Sequence, residues 1–546
     1  MEEPNISQLP YDLILKIFSF LPLYEESVAT RLLTNEDPWK LELLPVVVYD
    51  DFSHSYLTKM KFMSFVYGSL LLNNDQILER LDLVLGRNYP ASDINFWVKL
   101  AVKRSVRKLR ITMYGNTLEL PSCLSTCVTL KSLILHQVRI MVVPSCFRLP
   151  SLKSLHLLKV SFSGDESLAG LLQSCPDLEY LVVKNMLFKT VPPWFLMSSL
   201  KSLHLLSSIF SYDESVASLL QKCPVLEDLV VKDVMFKTLP PWFLMSSLKS
   251  LHLLSSSFSD DQSVASLLQK CPVLEDLVVK KTQVFDSNKC TLSSCTTLKM
   301  LTLSKLSIKV ALPWSRLPLL KTLHLISVKF SSDESIASFL PTCPVLECLV
   351  VDQSKADNAM FKDVPYWFCL PSLKSLHLLS VKFSMDESVA KLIQRCPVLE
   401  DLVMNNTTDD NRAFSALYMF MFPFLGYLEL CTCSAGWASL LVCILKDAPT
   451  LNYLKLKSQH GAYYKDPMLL WNKPTAVPEC LSTHLEIMEW RQYEGTEQER
   501  NVAAYILANN TCLKMATFST WCRDKHELKK LKKLNRVSET CQLLFD

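Results

Sequence analysis

Phe188-Lys-Thr-Val-Pro-Pro-Trp-Phe-Leu-Met-Ser-Ser-Leu200-Lys-Ser-Leu203-His204-Leu205-Leu206 opens a block that the chain repeats at once. Phe188–Met235 and Phe236–Gln283 agree at 41 of 48 positions. Self-similarity at a period of tens of residues marks a solenoid, in which each coil buries its apolar face only against its neighbours. Within the block, Leu200-x-x-Leu203-x-Leu205 alternates as a half-buried strand does, with the leucines facing inward.

The same Leu-x-x-Leu-x-Leu unit starts at Val106, Leu130, Leu152, Leu178, Leu200, Leu226, Leu248, Leu274, Leu298, Leu320, Leu346, Leu373, Leu399, Leu425 and Leu451, with Leu78 as an earlier start. Most steps, at 22 to 27 residues, lie in the range of leucine-rich repeats. The predicted fold is an α/β leucine-rich-repeat solenoid, a horseshoe whose parallel sheet lines the concave face. The 48-residue block holds one long unit and one short unit. The long unit carries a helix, for which Ser163/Glu166, Ser211/Glu214, Ser259/Gln262, Ser331/Glu334 and Ser384/Glu387 have capping-box spacing. Each helix ends at Cys-Pro (Cys175, Cys223, Cys271, Cys343, Cys396), where proline stops the helix and the cysteine packs inward as a small hydrophobe. In the short unit, Pro192-Pro193-Trp194 or Pro240-Pro241-Trp242 replaces the helix with a tight turn.

Composition narrows the function. The 546 residues are 49% hydrophobic with net charge +3, enough for a large core and without a general field for nucleic acid. Only 9 glycines leave no phosphate-cradling loop. The 19 cysteines form no dense framework, and Cys431-Thr-Cys433 has no second pair at zinc spacing. Reduced thiols and a start at Met1-Glu2-Glu3 without a secretory pattern lead us to expect a cytoplasmic and/or nuclear protein. Between Phe414 and Leu445 the one charge is Glu429. Pro423, Gly426 and the uninterrupted leucine register argue against a membrane span there. Lys525–Arg536 has an apolar stripe (Leu528, Leu531, Leu534) and reads as a solvated helix rather than a nucleic-acid patch.

Histidine recurs at the fifth position of the strand unit: His156, His204, His252, His324 and His377. This position points away from the leucines. The histidines occupy alternate strands, about 10 Å apart at strand spacing, too far to share a zinc ion. Val182, Val230, Val278 and Val350 lie between them, with Lys184, Lys232 and Lys280 two residues beyond the first three. A mixed apolar and basic strip of this kind is a candidate protein contact. The candidate target-binding face comprises His156, Tyr180, His204, His252, His324, His377, Tyr427 and Tyr453. No Ser/His/Asp or Cys/His set stands apart from the repeats and no HExxH occurs, so neither catalysis nor a cofactor is expected.

The two ends do not repeat. Leu9, Leu13, Ile14, Ile17, Phe18 and Leu21 fall at helical spacing, with Pro10 as a first-turn residue. The string Ile6-Ser7-Gln8-Leu9-Pro10-Tyr11-Asp12-Leu13-Ile14-Leu15-Lys16-Ile17-Phe18-Ser19-Phe20-Leu21-Pro22 resembles the start of an F-box, and the resemblance runs on through Leu33. It implies a small helical module, residues 1–50, that docks on a Skp1-like adaptor of a cullin complex through Leu9, Pro10, Leu13, Ile14, Ile17, Phe18, Leu21 and Pro22. Where plant members resemble Ser-Lys-Arg-Trp, this chain has Thr34-Asn35-Glu36-Asp37-Pro38.

Toward the C-terminus, Trp471-Asn472-Lys473-Pro474, Val477-Pro478-Glu479-Cys480-Leu481, Glu489-Trp490, Tyr493-Glu494-Gly495, Tyr505-Ile506-Leu507 and Cys512-Leu513-Lys514 resemble the FBD domain. That domain follows F-box and leucine-rich repeats in a large plant family. With Ile94-Asn95-Phe96-Trp97-Val98 the resemblance covers essentially the whole chain. It implies repeats over 70–460 and an FBD domain over 470–546, with the strand-like Leu485-x-x-Met488-x-Trp490 and a helix at Glu497–Leu507 capping the last repeat. The function implied is non-catalytic substrate recognition in an SCF-type ubiquitin ligase, with an unidentified target protein and neither nucleic acid nor membrane as partner. The departure at Thr34–Pro38 supports a second reading, a repeat scaffold whose F-box does not dock.

Overall fold

A computed structural model of the chain describes residues 46–52, 59–72, 77–114, 117–141, 143–188, 195–210, 214–236, 243–258, 267–281, 295–308, 317–330, 339–354, 369–381, 392–405, 422–433, 437–458, 473–520 and 530–545. The chain forms two compact units, residues 1–271 and 272–546.

The first unit is a parallel ladder in chain order. Val46–Asp50, Arg80–Leu85, Lys108–Met113, Ser132–His136, Ser154–Leu158, Tyr180–Lys184, Ser202–Leu206, Asp228–Lys232 and Ser250–Leu254 each pair with the next. The motif leucines fall in register, so that Leu155, Leu181, Leu203, Leu229 and Leu251 form one column. All five are at most 1% exposed. Every start residue from Leu78 to Leu451 is likewise buried, which bears out the register read from the sequence. The first strand, Val46–Asp50, precedes any leucine unit. It joins the ladder through the alternation of buried Val47 and Tyr49.

The second unit repeats the arrangement with Asp276–Lys280, Met300–Ser304, Thr322–Ile326, Cys348–Asp352, Ser375–Leu379, Asp401–Asn405, Tyr427–Cys431 and Tyr453–Lys457. The ladder then continues into the C-terminal region: Ile487–Arg491, Met515–Phe518 and Gln542–Phe545 pair on in parallel. That region closes the solenoid by adding coils to its sheet, not by covering its end. The apolar stretch 414–445 contains the strand Tyr427–Cys431 and the helix Trp437–Asp447. No described helix is long and apolar enough to cross a membrane.

Among the described residues, ten coils turn the same corner. Seven residues after the start, the backbone takes a left-handed conformation at Gln137, Lys159, Asn185, Ser207, Asp233, Ser255, Lys281, Lys305, Ser327 and Ser380, with φ between 49° and 56°. The corner redirects the chain into short strands that pair in a ladder of their own, as Leu187–Phe188 does with Ile209–Phe210. Helices Asp165–Gln173 and Glu214–Gln221 follow in the long units, as their sequence predicts.

The capping box expected at Ser163/Glu166 does not form. The helix is capped at Gly164 without a side-chain bond, and the Ser163 hydroxyl donates to the Met141 carbonyl of the preceding coil. The other four boxes lie outside the described residues. A capping box does form at Thr496/Glu499, at the start of helix Glu497–Asn509.

The helix-ending cysteines bear out the packing reading. Cys175, Cys223, Cys271, Cys343 and Cys396 are buried. Their thiols donate to the carbonyl four residues back, for example Cys223 Sγ to Leu219 O at 3.4 Å and Cys271 Sγ to Leu267 O at 3.2 Å. Burial pushes the thiols of Cys175, Cys223 and Cys396 up to about 12, so they stay protonated and unreactive at neutral pH.

Candidate protein-interaction face

The strand period decides what this face carries. With leucines inward at the fourth and sixth positions, the third, fifth and seventh positions point to the opposite side. At the fifth, the order in the first unit is His156, Val182, His204, Val230, His252. In the second it is Val278, Thr302, His324, Val350, His377, Val403, Glu429, Lys455, Glu489. The histidines of the first unit alternate with valine strand by strand, as the sequence predicts, and all five histidines are half-buried. Burial holds His156, His324 and His377 below the ordinary imidazole pKa, so these rings are neutral at pH 7.

Register brings Tyr180 and His204 together with residues that the sequence did not single out. Tyr180 OH lies 3.1 Å from His204 Nδ1, and His204 Nε2 lies 3.3 Å from Asp228 Oδ2. Ser202 Oγ donates to the same Asp228 oxygen at 2.7 Å. The His204 hydrogen bond, opposed by burial and helped by Ser202, holds the Asp228 carboxyl below the ordinary carboxylate range. Ser, His and Asp are thus neighbours, yet the geometry is not that of a nucleophile and its base. The serine hydroxyl is turned to the aspartate, and both imidazole nitrogens have other partners. The cluster fixes Tyr180 and His204 as a rigid polar anchor beside the half-buried Val230.

Tyr427 and Tyr453 sit in a second cluster. Their rings lie 5.1 Å apart at 37°. Tyr427 OH donates to Glu429 Oε2 at 3.0 Å, and Tyr453 OH donates to Glu489 Oε2 at 3.0 Å. Glu429 also accepts from Asn405 Nδ2 at 2.9 Å and pairs with Lys455 at 2.9 Å. Burial raises the Glu429 carboxyl, but the bonds from Asn405, Lys455 and Tyr427 outweigh it and leave it below its ordinary pKa. Arg491 Nε donates to Glu489 Oε1 at 2.6 Å. Glu429 was visible in the sequence as the lone charge of an apolar stretch. Its partners Asn405 and Lys455, on the two adjacent strands, were not.

Sequence reading also missed an ionic row at the second position of the motif. Glu179 is paired by both Lys153 and Lys201, and Glu227 by Lys249. Lys299–Glu275, Lys321–Glu347 and Lys374–Glu400 repeat the pattern in the second unit. The Leu-Lys/Leu-Glu alternation of successive coils was its signal. Such exposed pairs contribute little energy. Among the described residues no group of His, Cys, Asp and Glu is disposed to hold a metal ion. The adaptor-binding candidates Leu9, Pro10, Leu13, Ile14, Ile17, Phe18, Leu21 and Pro22 lie outside the described residues, as does the basic segment up to Lys529.

Comparison with known proteins was decisive for the family. The F-box domain model matches residues 6–33 and the FBD model residues 473–518. Between them, the repeat model of an FBD-associated F-box protein matches 94–192, and the Leucine Rich Repeat model matches 199–224, 247–272, 319–344 and 372–397. A putative FBD-associated F-box protein of Arabidopsis thaliana is 38% identical over 551 residues, spanning 100% of both chains. The chain belongs to the F-box/FBD/leucine-rich-repeat family.

A second such family member, an Arabidopsis thaliana F-box/FBD/LRR-repeat protein, is 34% identical over 554 residues, covering 100% of this chain and 93% of its own. Among solved structures, an internalin of Listeria monocytogenes aligns with a TM-score of 0.35 and 21% identity, covering 52% of this chain and 82% of its own. In this F-box/FBD/leucine-rich-repeat chain the F-box match ends at residue 33, one residue before the divergent Thr34–Pro38. The FBD match contains the strands Ile487–Arg491 and Met515–Phe518, so in this chain the FBD is built on the repeat ladder itself.

Proposed function

We propose that this chain is the substrate-recognition subunit of an SCF-type ubiquitin ligase, acting in the cytoplasm or nucleus. The F-box, with Leu9, Leu13, Ile14, Ile17, Phe18 and Leu21 at helical spacing, docks on a Skp1-like adaptor by that apolar face. In each unit the face opposite the leucines offers a contact for the target protein, anchored by the Tyr180–His204 cluster in the first and by the Tyr427–Tyr453 cluster in the second. The chain performs no chemistry in this reading. It raises the local concentration of a target lysine at a charged conjugating enzyme brought in by the cullin.

The observation that carries the proposal is the F-box match at residues 6–33 at the head of a chain similar over its full length to F-box proteins. Its test is capture of the full-length chain by an immobilised Skp1-like protein. Capture is expected for the wild type and lost for Leu13→Asp and Ile17→Asp. A wild-type chain that is not captured refutes it.

The end of the match at residue 33 supports one alternative, a scaffold that binds its partner without delivering it to a ligase. Under that reading the wild type is not captured, and replacing Thr34–Pro38 with the Ser-Lys-Arg-Trp pattern restores capture.

A further inference from the structure

The seventh-position row of the first unit has a composition of its own. Cross-strand partners run His136, Leu158, Lys184, Leu206, Lys232, Leu254. Basic residues and leucines thus alternate along one line at strand spacing, about 4.8 Å per step. Lys184 and Lys232 are exposed, and the leucines between them are half-buried.

Among the described residues, Lys184 and Lys232 have no ion-pair partner. At the opposite edge the lysines are taken: Lys153 and Lys201 by Glu179, and Lys249 by Glu227. Among the described residues no ion pair reaches Arg110, Lys159, Lys184 or Lys232, whereas the edge carboxylate Asp233 already accepts a hydrogen bond from Ser207 at 3.1 Å. Beside the row, the Thr112 hydroxyl has no partner although Thr112 is 2% exposed, and His136 Nδ1, on its cross-strand neighbour, has none either. Burial, and then the charges of Arg110, Lys159 and Lys184, hold the His136 imidazole below its ordinary pKa. Exposed lysines without an ion-pair partner are what an acidic ligand would engage.

Spacing selects the form of that ligand. Lys184 and Lys232 are two strands apart, about 10 Å, and a peptide in the extended polyproline II form advances about 3.1 Å per residue with three residues per turn, so every third side chain returns to the same face. Three residues of such a peptide therefore span one lysine-to-lysine step, and the intervening leucine can receive an apolar side chain. We propose that this row docks an extended acidic segment of the target protein, with carboxylates every third residue over Lys184 and Lys232 and apolar side chains over Leu158 and Leu206. This rests on the reading that the repeats hold the target, and it names the chemistry they select.

The test is fluorescence anisotropy of a labelled peptide with glutamate at every third residue and leucine and alanine between, titrated with the purified full-length chain. Binding is expected, weakening as salt rises. Lys184→Glu/Lys232→Glu should weaken it by roughly tenfold or more, a change of about 1.4 kcal/mol, and the glutamine version of the peptide should lose as much. Equal binding of the glutamine peptide, wild-type affinity in the double variant, or full displacement by a single-stranded oligonucleotide overturns the inference. Both lysines are exposed, so the variant should still be captured by a Skp1-like adaptor, which checks its folding. A wild type captured by the adaptor but blind to the peptide refutes this row alone. One that binds the peptide but not the adaptor refutes the ligase reading alone.

Discussion

Replacing Glu499 by glutamine should stabilise the FBD coils at neutral and alkaline pH and leave them unchanged in acid. Glu499 caps helix Glu497–Asn509: its Oε2 accepts from the backbone N–H of Thr496 at 3.0 Å and of Glu494 at 3.1 Å. The residue is only 4% exposed. Burial raises the carboxyl from its ordinary 4.5 to about 7, against the pull of these hydrogen bonds. The folded state therefore binds the proton more tightly than the unfolded chain does. Stability from this group is full below pH 4.5 and is lost as pH rises to about 7. At about 1.4 kcal/mol for each tenfold change in proton affinity, the loss is about 3 kcal/mol. Glutamine keeps an oxygen that can accept the same two bonds, since either residue serves in a capping box, and it does not ionise.

The assay is hydrogen exchange of the helix amides in the full-length chain at pH 5 and pH 8, corrected for intrinsic chemical rates. Wild type should lose protection at the higher pH, and Glu499→Gln should retain it. Equal protection of wild type at both values, or a variant that is less protected than wild type at pH 8, refutes the reasoning.

Three further outcomes follow from the ladder. Leu203, fully buried in the leucine column, should cost about 2–5 kcal/mol on substitution by alanine, read as lost exchange protection in its own and adjacent coils; protection unchanged there contradicts the packing. Ser255 holds φ at 51°, a conformation that costs a side-chain-bearing residue about 1–2 kcal/mol. Ser255→Gly should raise the melting temperature slightly and Ser255→Val should lower it. Finally, native alkylation at pH 7.5 should label the exposed Cys146 and Cys369 and spare Cys175, Cys223 and Cys396, with all five reacting in denaturant when sites are mapped by mass spectrometry.

The leucine column was legible because a two-residue period and a regular step leave one register open. Every start from Leu78 to Leu451 is buried where the pattern placed it. The continuation into the FBD was harder to see because the buried positions change chemistry. Leu485-x-x-Met488-x-Trp490 pairs with Leu513-x-x-Ala516-x-Phe518, Met488 opposite Ala516 and Trp490 opposite Phe518. The buried positions stay apolar, but the larger Met488 and Trp490 face the smaller Ala516 and Phe518, and the leucine signature is lost. The coil corners were invisible for a related reason. Their left-handed residues are serine, lysine, asparagine, aspartate and glutamine, so the ladder imposes a conformation that no glycine announces.

The candidate face was half legible. Its histidines and tyrosines follow from alternation alone. Asp228 and Glu489 hold His204 and Tyr453 in place from neighbouring strands, and Asn405 steadies Glu429, the partner of Tyr427, in the same way; only the register shows this. The Ser163/Glu166 box fails because the serine has a better-placed acceptor in the preceding coil, which local spacing cannot reveal.

Titration calorimetry of the full-length chain with a purified Skp1-like adaptor tests the central claim most directly. Saturable one-to-one binding, with a negative heat-capacity change from burial of the Leu13–Ile17 face and abolished by Leu13→Asp, is the predicted result. A folded chain that retains exchange protection in its leucine column yet releases no heat on the adaptor and co-precipitates none would contradict it.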